Sequence, residues 1–360
     1  MNDFWRGKKV LITGHTGFKG SWLLSCLNLW GAETAGYSLD VPTEPSMCRL
    51  LQLEDQCRSF SGDVCDRDVL HAVFEDFRPE IVFHLAAQTL VRRSYADPYE
   101  TYKTNVLGTL NVLETARAAG TVRVIVNVTT DKCYENREWL WGYRENDPLG
   151  GDDPYSASKG CVELLSASWR KSFCPLERIN EHNLAMVTVR AGNVIGGGDW
   201  AEDRLVPDCI RAFGSGKPLV LRNPNAVRPW QHVLEPLWGY VTLAERLWHE
   251  PAAYSEAWNF GPDKIGHWTV RRLAEKVKEA WGQGEIVGGE VDPIVKQSPE
   301  SSFLYLDSSK VFSRLGWIPK LSASEAVEWS VDWYKTWKNR TRNLSAFTRE
   351  QIERYITKGG

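Results

Sequence analysis

With 360 residues the chain has room for one large domain or two modest ones. Its 42% apolar and 25% charged content is ordinary for a soluble globular fold, and a net charge of −3 argues against a general nucleic-acid binder. No apolar run approaches the roughly 18 residues of a membrane span. The chain opens Met-Asn-Asp-Phe-Trp-Arg-Gly-Lys-Lys, with no apolar signal core, so a cytoplasmic location is expected. Eight scattered cysteines contain no C-x-x-C pair, which fits free thiols in a reducing compartment. The seven histidines show no metal-ligand spacing, so no metal is expected.

Apolar runs and helical stretches alternate through the first half, the pattern of a parallel sheet covered on both faces. The spacing predicts strands at 9–13 and 34–39 and a short one beginning at Phe60. It predicts further strands at 80–85, 122–129 and 186–189. Helices are predicted at 18–30, stopped by Gly31, and at 66–77, capped by Asp66. Two more follow at 99–119, closed by Gly120, and at 155–172. Beyond about residue 180 the texture changes. Gly196-Gly197-Gly198, 222–229 and 262–266 read as loops, between helices near 203–214, 233–249, 269–281 and 323–338. This half reads as a smaller α/β domain that closes over the sheet edge.

Between the first strand and first helix stand Gly14, Gly17 and Gly20. Gly14 permits a tight turn, Gly17 lets the backbone approach a pyrophosphate, and Gly20 allows close helix–strand packing. The helix start supplies N–H groups for an anion, in the company of Thr16 and Phe18. Asp40 ends the second strand, twenty residues beyond Gly20. It can accept from the adenosine ribose and would repel a 2′-phosphate, favouring NAD over NADP. Asp63 and Val64 follow the third strand, towards the adenine edge. Leu85, Ala86 and Ala87 end the fourth with small residues where a flat cofactor can pass. Asn105, beside an apolar helix face, should be bonded to backbone near the site.

Thr130-Asp131-Lys132 directly follows the buried run 122–128, so it lies at the carboxyl edge of the sheet, where open α/β folds bind ligands. Tyr155 and Lys159, four apart on a helix, share one face. The ammonium is expected to lower the phenol's pKa, making Tyr155 a base towards an alcohol.

Together these residues resemble the extended short-chain dehydrogenase/reductase family. The matches are T-G-x-T-G-F-x-G at 13–20, H-L-A-A at 84–87, N-V-x-G-T at 105–109 and Y-S-A-S-K at 155–159. Others are R-A-G-N-V-I-G-G-G-D at 190–199 and R-P-W-Q-H-V at 228–233. The resemblance implies a Rossmann-type doubly wound parallel sheet binding NAD in residues 1–180, receiving part of 226–255. It implies a nucleotide-sugar-binding domain in 181–360, and a homodimer or larger homo-oligomer built on the N-V-x-G-T and Y-x-x-x-K helices. Family members that dehydrate dTDP-glucose carry Thr-Asp-Glu where this chain has Thr-Asp-Lys. With Gly-Gly-Gly-Asp-Trp at 196–200, that departure is similar to dehydratases acting on CDP-glucose in deoxysugar biosynthesis. Tyr155 is then implied to deprotonate the sugar 4-hydroxyl held by Thr130. Lys159 tunes Tyr155 and binds the nicotinamide ribose. Lys132, if its pKa is depressed, takes the C5 proton, and Asp131, if protonated, serves the departing 6-hydroxyl. The resemblance places substrate on Asn193 and Arg228; Arg92, Arg93 and Ser94 either touch it or lie on the surface. A 4-epimerase, a dehydratase for another nucleotide sugar, and a non-catalytic NAD-binding regulator remain the alternatives.

Overall fold

The computed structural model describes residues 2–262, 267–288 and 303–359. Seven strands make its main sheet: β1 (Lys9–Thr13), β2 (Glu33–Ser38), β3 (Arg58–Ser61), β4 (Ile81–His84), β5 (Val124–Val128), β6 (Ala185–Ala191) and β7 (Ala257–Phe260). Their order is β7-β6-β5-β4-β1-β2-β3, and every pairing is parallel. Every position of β4, β5 and β6 is buried, as expected of strands covered on both faces. Alternate side chains feed two cores. Val10, Ile12, Phe83, Val126 and Val187 enter one; Leu11, Val82, Ile125 and Met186 enter the other.

The longer helices of the first half are α1 (Phe18–Leu29), α2 (Arg67–Phe77), α3 (Gly108–Ala119) and α4 (Pro154–Phe173). Asp66 caps α2 by accepting from the Val69 N–H at 3.2 Å, and Asp153 caps α4 through Ser156 N–H at 2.9 Å. The helix expected at 99–119 is divided. Pro98–Tyr102 is α-helical, Lys103–Leu107 is a π turn, and α3 follows. A helix at Val91–Ala96 was not expected. β3 begins two residues before Phe60, because the polar residues of this mostly exposed strand hide its period. β6 outruns its expected span at both ends.

In the second half, α5 (Leu205–Gly214), α6 (Leu234–His249), α7 (Val270–Trp281) and α8 (Ala323–Asn339) lie within two residues of the expected spans. β7 and α9 (Leu344–Thr357) were not foreseen. α6 packs against β5 and β6, so this half contributes a helix and two strands, β6 and β7, to the main sheet. Two short pairings reach the sheet edge: Val194–Ile195 with Gln231–His232, and Val227–Pro229 with His267–Thr269. The loop expected at 262–266 lies, after Pro262, outside the described residues. Among the described residues no helix is long and apolar enough to cross a membrane.

Candidate active site

At the end of β1 the chain turns at Gly14, whose φ is +78°, and a Cβ there would lie 2.7 Å from Ala86 N. A Cβ on Gly20 would lie 2.1 Å from the Gly14 carbonyl oxygen, so only hydrogen lets α1 start this close to the turn. Gly17 is the N-cap of α1 and places no side chain over the helix start, whose first N–H groups have no intrahelical partner. This cradle fits the pyrophosphate of a dinucleotide. His15 is buried beneath it, bonded to Ser38 Oγ at 2.8 Å and Ser59 Oγ at 3.0 Å. Burial lowers its pKa to about 4, so the ring is a neutral strut between the turn, β2 and β3. Thr16 is buried, with its N–H directed at Ser38 Oγ at 3.4 Å, and Phe18 opens α1.

Asp40 stands exposed two residues past β2 and is paired with Arg49 at 3.0 Å. Past β3, the Asp63 carbonyl accepts from the Tyr37 hydroxyl at 2.7 Å, while Val64 is buried against Gly108. Leu85, Ala86 and Ala87 carry the chain from β4 past Gly14, with Ala86 N–H donating to Thr13 Oγ at 3.3 Å. Asn105 accepts from Gln88 N–H at 2.9 Å and donates to Gln88 O at 3.0 Å and Ser158 Oγ at 2.8 Å. It therefore ties the π turn to the segment after β4 and to α4, as its buried polar character required.

The catalytic candidates meet where β5 ends. Thr130 caps a single 3₁₀ turn, Asp131–Cys133, accepting from Lys132 N–H at 3.3 Å and donating to Asp131 Oδ1 at 3.0 Å. Tyr155, on the first turn of α4, is buried, and the nearby Thr130 hydroxyl acts to lower its phenol's pKa. Its backbone N–H donates to Ser94 Oγ at 3.1 Å, so Ser94 is a buried anchor for α4.

One expectation is overturned. The phenol is not lowered but raised to about 12. Burial strips water from the phenolate, and this outweighs the opposing influence of the Thr130 hydroxyl; the Asp131 charge raises it further and that of Arg204 opposes. Lys159 donates from Nζ to the Val128 carbonyl at 3.3 Å, and its own pKa falls to about 8 through burial, against the raising effect of Glu163.

Asp131 is 4% exposed, and burial pushes its carboxyl above the usual range despite the nearby charges of Lys132, Arg228 and Lys19. Lys132 is half-buried on the same 3₁₀ turn. A Cβ on Gly192 would lie 3.0 Å from Asp131 Oδ2 and 2.8 Å from Pro229 Cγ, so the end of β6 and the strand Val227–Pro229 both close on this carboxyl. Asn193 follows, its carbonyl accepting from Gln231 N–H at 3.1 Å. Arg228 is buried, with Nη1 donating to Val227 O at 2.9 Å.

Two cations here were not foreseen. Lys19, on α1, is lowered to about 8, first by burial and then by Arg204, with Asp131 opposing and Lys159 lowering it further. Arg204, just before α5, pairs with Asp199 at 2.8 Å and acts on Tyr155. A lysine inside a glycine-rich turn was a usable signal for the first. Nothing local marked the second.

The chain matches the family model described as GDP-mannose 4,6 dehydratase over residues 11–329. It is 47% identical over 357 residues to a CDP-glucose 4,6-dehydratase of Salmonella typhimurium, covering 99% of this chain and 98% of that protein. A dTDP-glucose 4,6-dehydratase of Haemophilus influenzae is 26% identical over 345 residues, 90% of this chain and 97% of the relative. Among solved structures, a UDP-glucose 4-epimerase of Thermus thermophilus in complex with NAD is similar with a TM-score of 0.77 at 26% identity. The match covers 91% of this chain and 99% of that one.

Proposed function

This chain belongs to the GDP-mannose 4,6 dehydratase family of extended short-chain dehydrogenases/reductases, and from that premise we propose that it is an NAD-dependent CDP-glucose 4,6-dehydratase. The observation that carries the reading is the buried carboxyl of Asp131, held above the usual acid range beside the Thr130–Tyr155 pair. A 4-epimerase has no use for an acid at this point; an elimination of water does.

Bound NAD supplies reversible hydride storage, which makes the overall reaction redox-neutral. Tyr155, as phenolate, removes the proton of the sugar 4-hydroxyl, which Thr130 holds by a hydrogen bond. Lys159 stabilises that phenolate and takes the nicotinamide ribose. The 4-ketone acidifies C5–H, and Lys132 accepts that proton. Asp131 protonates the departing 6-hydroxyl, which leaves as water. When hydride returns to carbon 6, Lys132 gives its proton back to carbon 5, leaving a CDP-4-keto-6-deoxy sugar. Asn193 and Arg228 hold the substrate, the guanidinium fork of Arg228 suiting its diphosphate.

In this reading residues 1–180, with part of 226–255, carry NAD, and the remainder of 181–360 carries the nucleotide sugar. Gly14, Thr16, Gly17, Phe18 and Gly20 hold the pyrophosphate, Asp40 the adenosine ribose, and Asp63, Val64, Leu85, Ala86 and Ala87 line the rest of the dinucleotide. The enzyme works in the cytoplasm as a homodimer, a reading supported by exposed Tyr99 (78%), Leu107 (53%) and Leu164 (61%) on the two helical segments that the family pairs. The test is to incubate the protein and NAD with CDP-, dTDP- and GDP-hexoses and record ultraviolet spectra after alkali. The 4-keto-6-deoxy chromophore is expected from CDP-glucose. A chromophore from another nucleotide alone, or an epimer formed without water loss, overturns the assignment.

A further inference from the structure

Next to the catalytic candidates lies a buried ion pair, Glu163 (2% exposed) with Arg190 (3% exposed), at 2.7 Å. Glu163 lies one helical turn past Lys159 on α4. Its Oε1 accepts from Thr129 Oγ at 2.5 Å, and its Oε2 accepts from Thr188 Oγ at 2.7 Å and from Arg190 Nη2. Arg190 Nη1 donates to the Tyr134 hydroxyl at 2.5 Å and to the Glu145 carbonyl at 3.0 Å. Tyr134 in turn donates to Asn259 Oδ1 on β7 at 2.8 Å. Thr129 and Tyr134 are the residues immediately before and after the stretch 130–133. The pair therefore grips both flanks of the turn that carries Thr130, Asp131 and Lys132, with Glu163 on the helix that carries Tyr155 and Lys159 and Arg190 on β6.

Geometry converts this grip into aim. Thr130 is extended, with φ −154° and ψ 160°. In extended chain adjacent side chains point to opposite faces, so fixing Thr129 into the pair fixes Thr130 towards Tyr155. Arg190 can bond Glu163 and Tyr134 at once because its guanidinium is a rigid planar fork. We propose that Glu163 and Arg190 are positioning residues of the active site, registering the catalytic turn against the Tyr155–Lys159 helix through the Thr129 and Tyr134 hydroxyls. The proposal rests on the dehydratase reading for its kinetic consequence only.

The test turns on Thr129, where a hydroxyl can be deleted at constant shape. With wild-type conversion of CDP-glucose measured alongside, Thr129→Val is expected to lower kcat at least tenfold while KM stays within twofold, and Thr129→Ser to restore kcat. Glu163→Gln should act in the same direction, and Thr129→Val/Glu163→Gln should be no worse than the poorer single variant, since both cut one link. Wild-type kcat in Thr129→Val, or a loss that Thr129→Ser does not restore, overturns the proposal. A second readout needs no turnover. The ring resonance of Tyr155 in ζ-carbon-13 tyrosine-labelled holoenzyme, assigned by its disappearance in Tyr155→Phe, should shift in Thr129→Val and not in Thr129→Ser. An unshifted resonance overturns the proposal even in an enzyme inactive on CDP-glucose, an inactivity that would count against the dehydratase reading alone.

Discussion

In the proposed mechanism the Tyr155 phenol has to give up a proton that burial holds to about 12, while Lys159 one turn away is brought down to about 8. Both shifts come from the removal of water, and both favour the uncharged form, so the phenol and the amine are driven apart in opposite directions. Tyr155→Phe keeps the ring and its packing and removes only the hydroxyl. It is expected to fold normally and to lower the rate of NADH formation in a single turnover by roughly 10²–10⁴-fold, the usual contribution of a positioned general base. Lys132 tests the second half of the chemistry. In the proposed mechanism oxidation at carbon 4 does not need it and elimination does. Lys132→Met should therefore still form NADH with substrate, read by the absorbance of the reduced nicotinamide, but release no water and place no solvent deuterium at carbon 5. Wild-type deuterium incorporation in Lys132→Met would transfer the abstraction to another group.

The glycine turn shows how an element carries a constraint that one methyl group breaks. At Gly20 an added Cβ would meet backbone, the Gly14 carbonyl at 2.1 Å, and backbone cannot swing aside. Gly20→Ala is expected to cost about 1–3 kcal/mol, the range of overpacking, and to weaken NAD binding as α1 backs away from the turn. A thermal melt with and without NAD would read both, and an unchanged midpoint would contradict the packing argument. Such constraints were legible in the sequence because they are local: the glycine spacing, the Asp66 cap and the apolar run of β5 each act within a few residues. Tyr155 and Lys159 were legible for the same reason, as was Thr130 at a strand end. β7 was not, since Ala-Trp-Asn-Phe is a strand only where β6 offers it an edge. The Glu163–Arg190 pair spans 27 positions, and Ser94 reaches Tyr155 across 61, so no window could join them. Yet Glu163 repeats the four-residue spacing of Tyr155 and Lys159, and that signal was there to be used. The lowered phenol was misjudged because spacing reports a neighbour and says nothing of the water that burial removes.

Across the molecule, Glu235 at the start of α6 binds the C-terminal part to the rest. Its carboxylate accepts from Lys320 N–H at 3.0 Å, Leu321 N–H at 2.7 Å and the Tyr355 hydroxyl of α9 at 2.7 Å. Burial still raises its pKa from 4.5 to about 7. A carboxyl raised on folding binds its proton more tightly in the folded state, so its contribution to stability is complete below about pH 4.5 and is lost as pH rises towards 7. At 1.36 kcal/mol per pKa unit the loss is at most roughly 3 kcal/mol. The melting temperature of Glu235→Gln should lack this fall between pH 5 and pH 7, and a variant profile parallel to wild type would remove Glu235 as its source. β7 has a consequence during synthesis. When β6 has left the ribosome, the partner for its outer edge is still some 66 residues away from being made (191 to 257). Until then the nascent chain presents a seven-residue row of unpaired backbone groups on an apolar strand, the kind of template that recruits other chains. A fragment ending at residue 200 should therefore accumulate as aggregate or bound to chaperones, and its recovery as a stable monomer would mean that the nascent sheet guards its own margin.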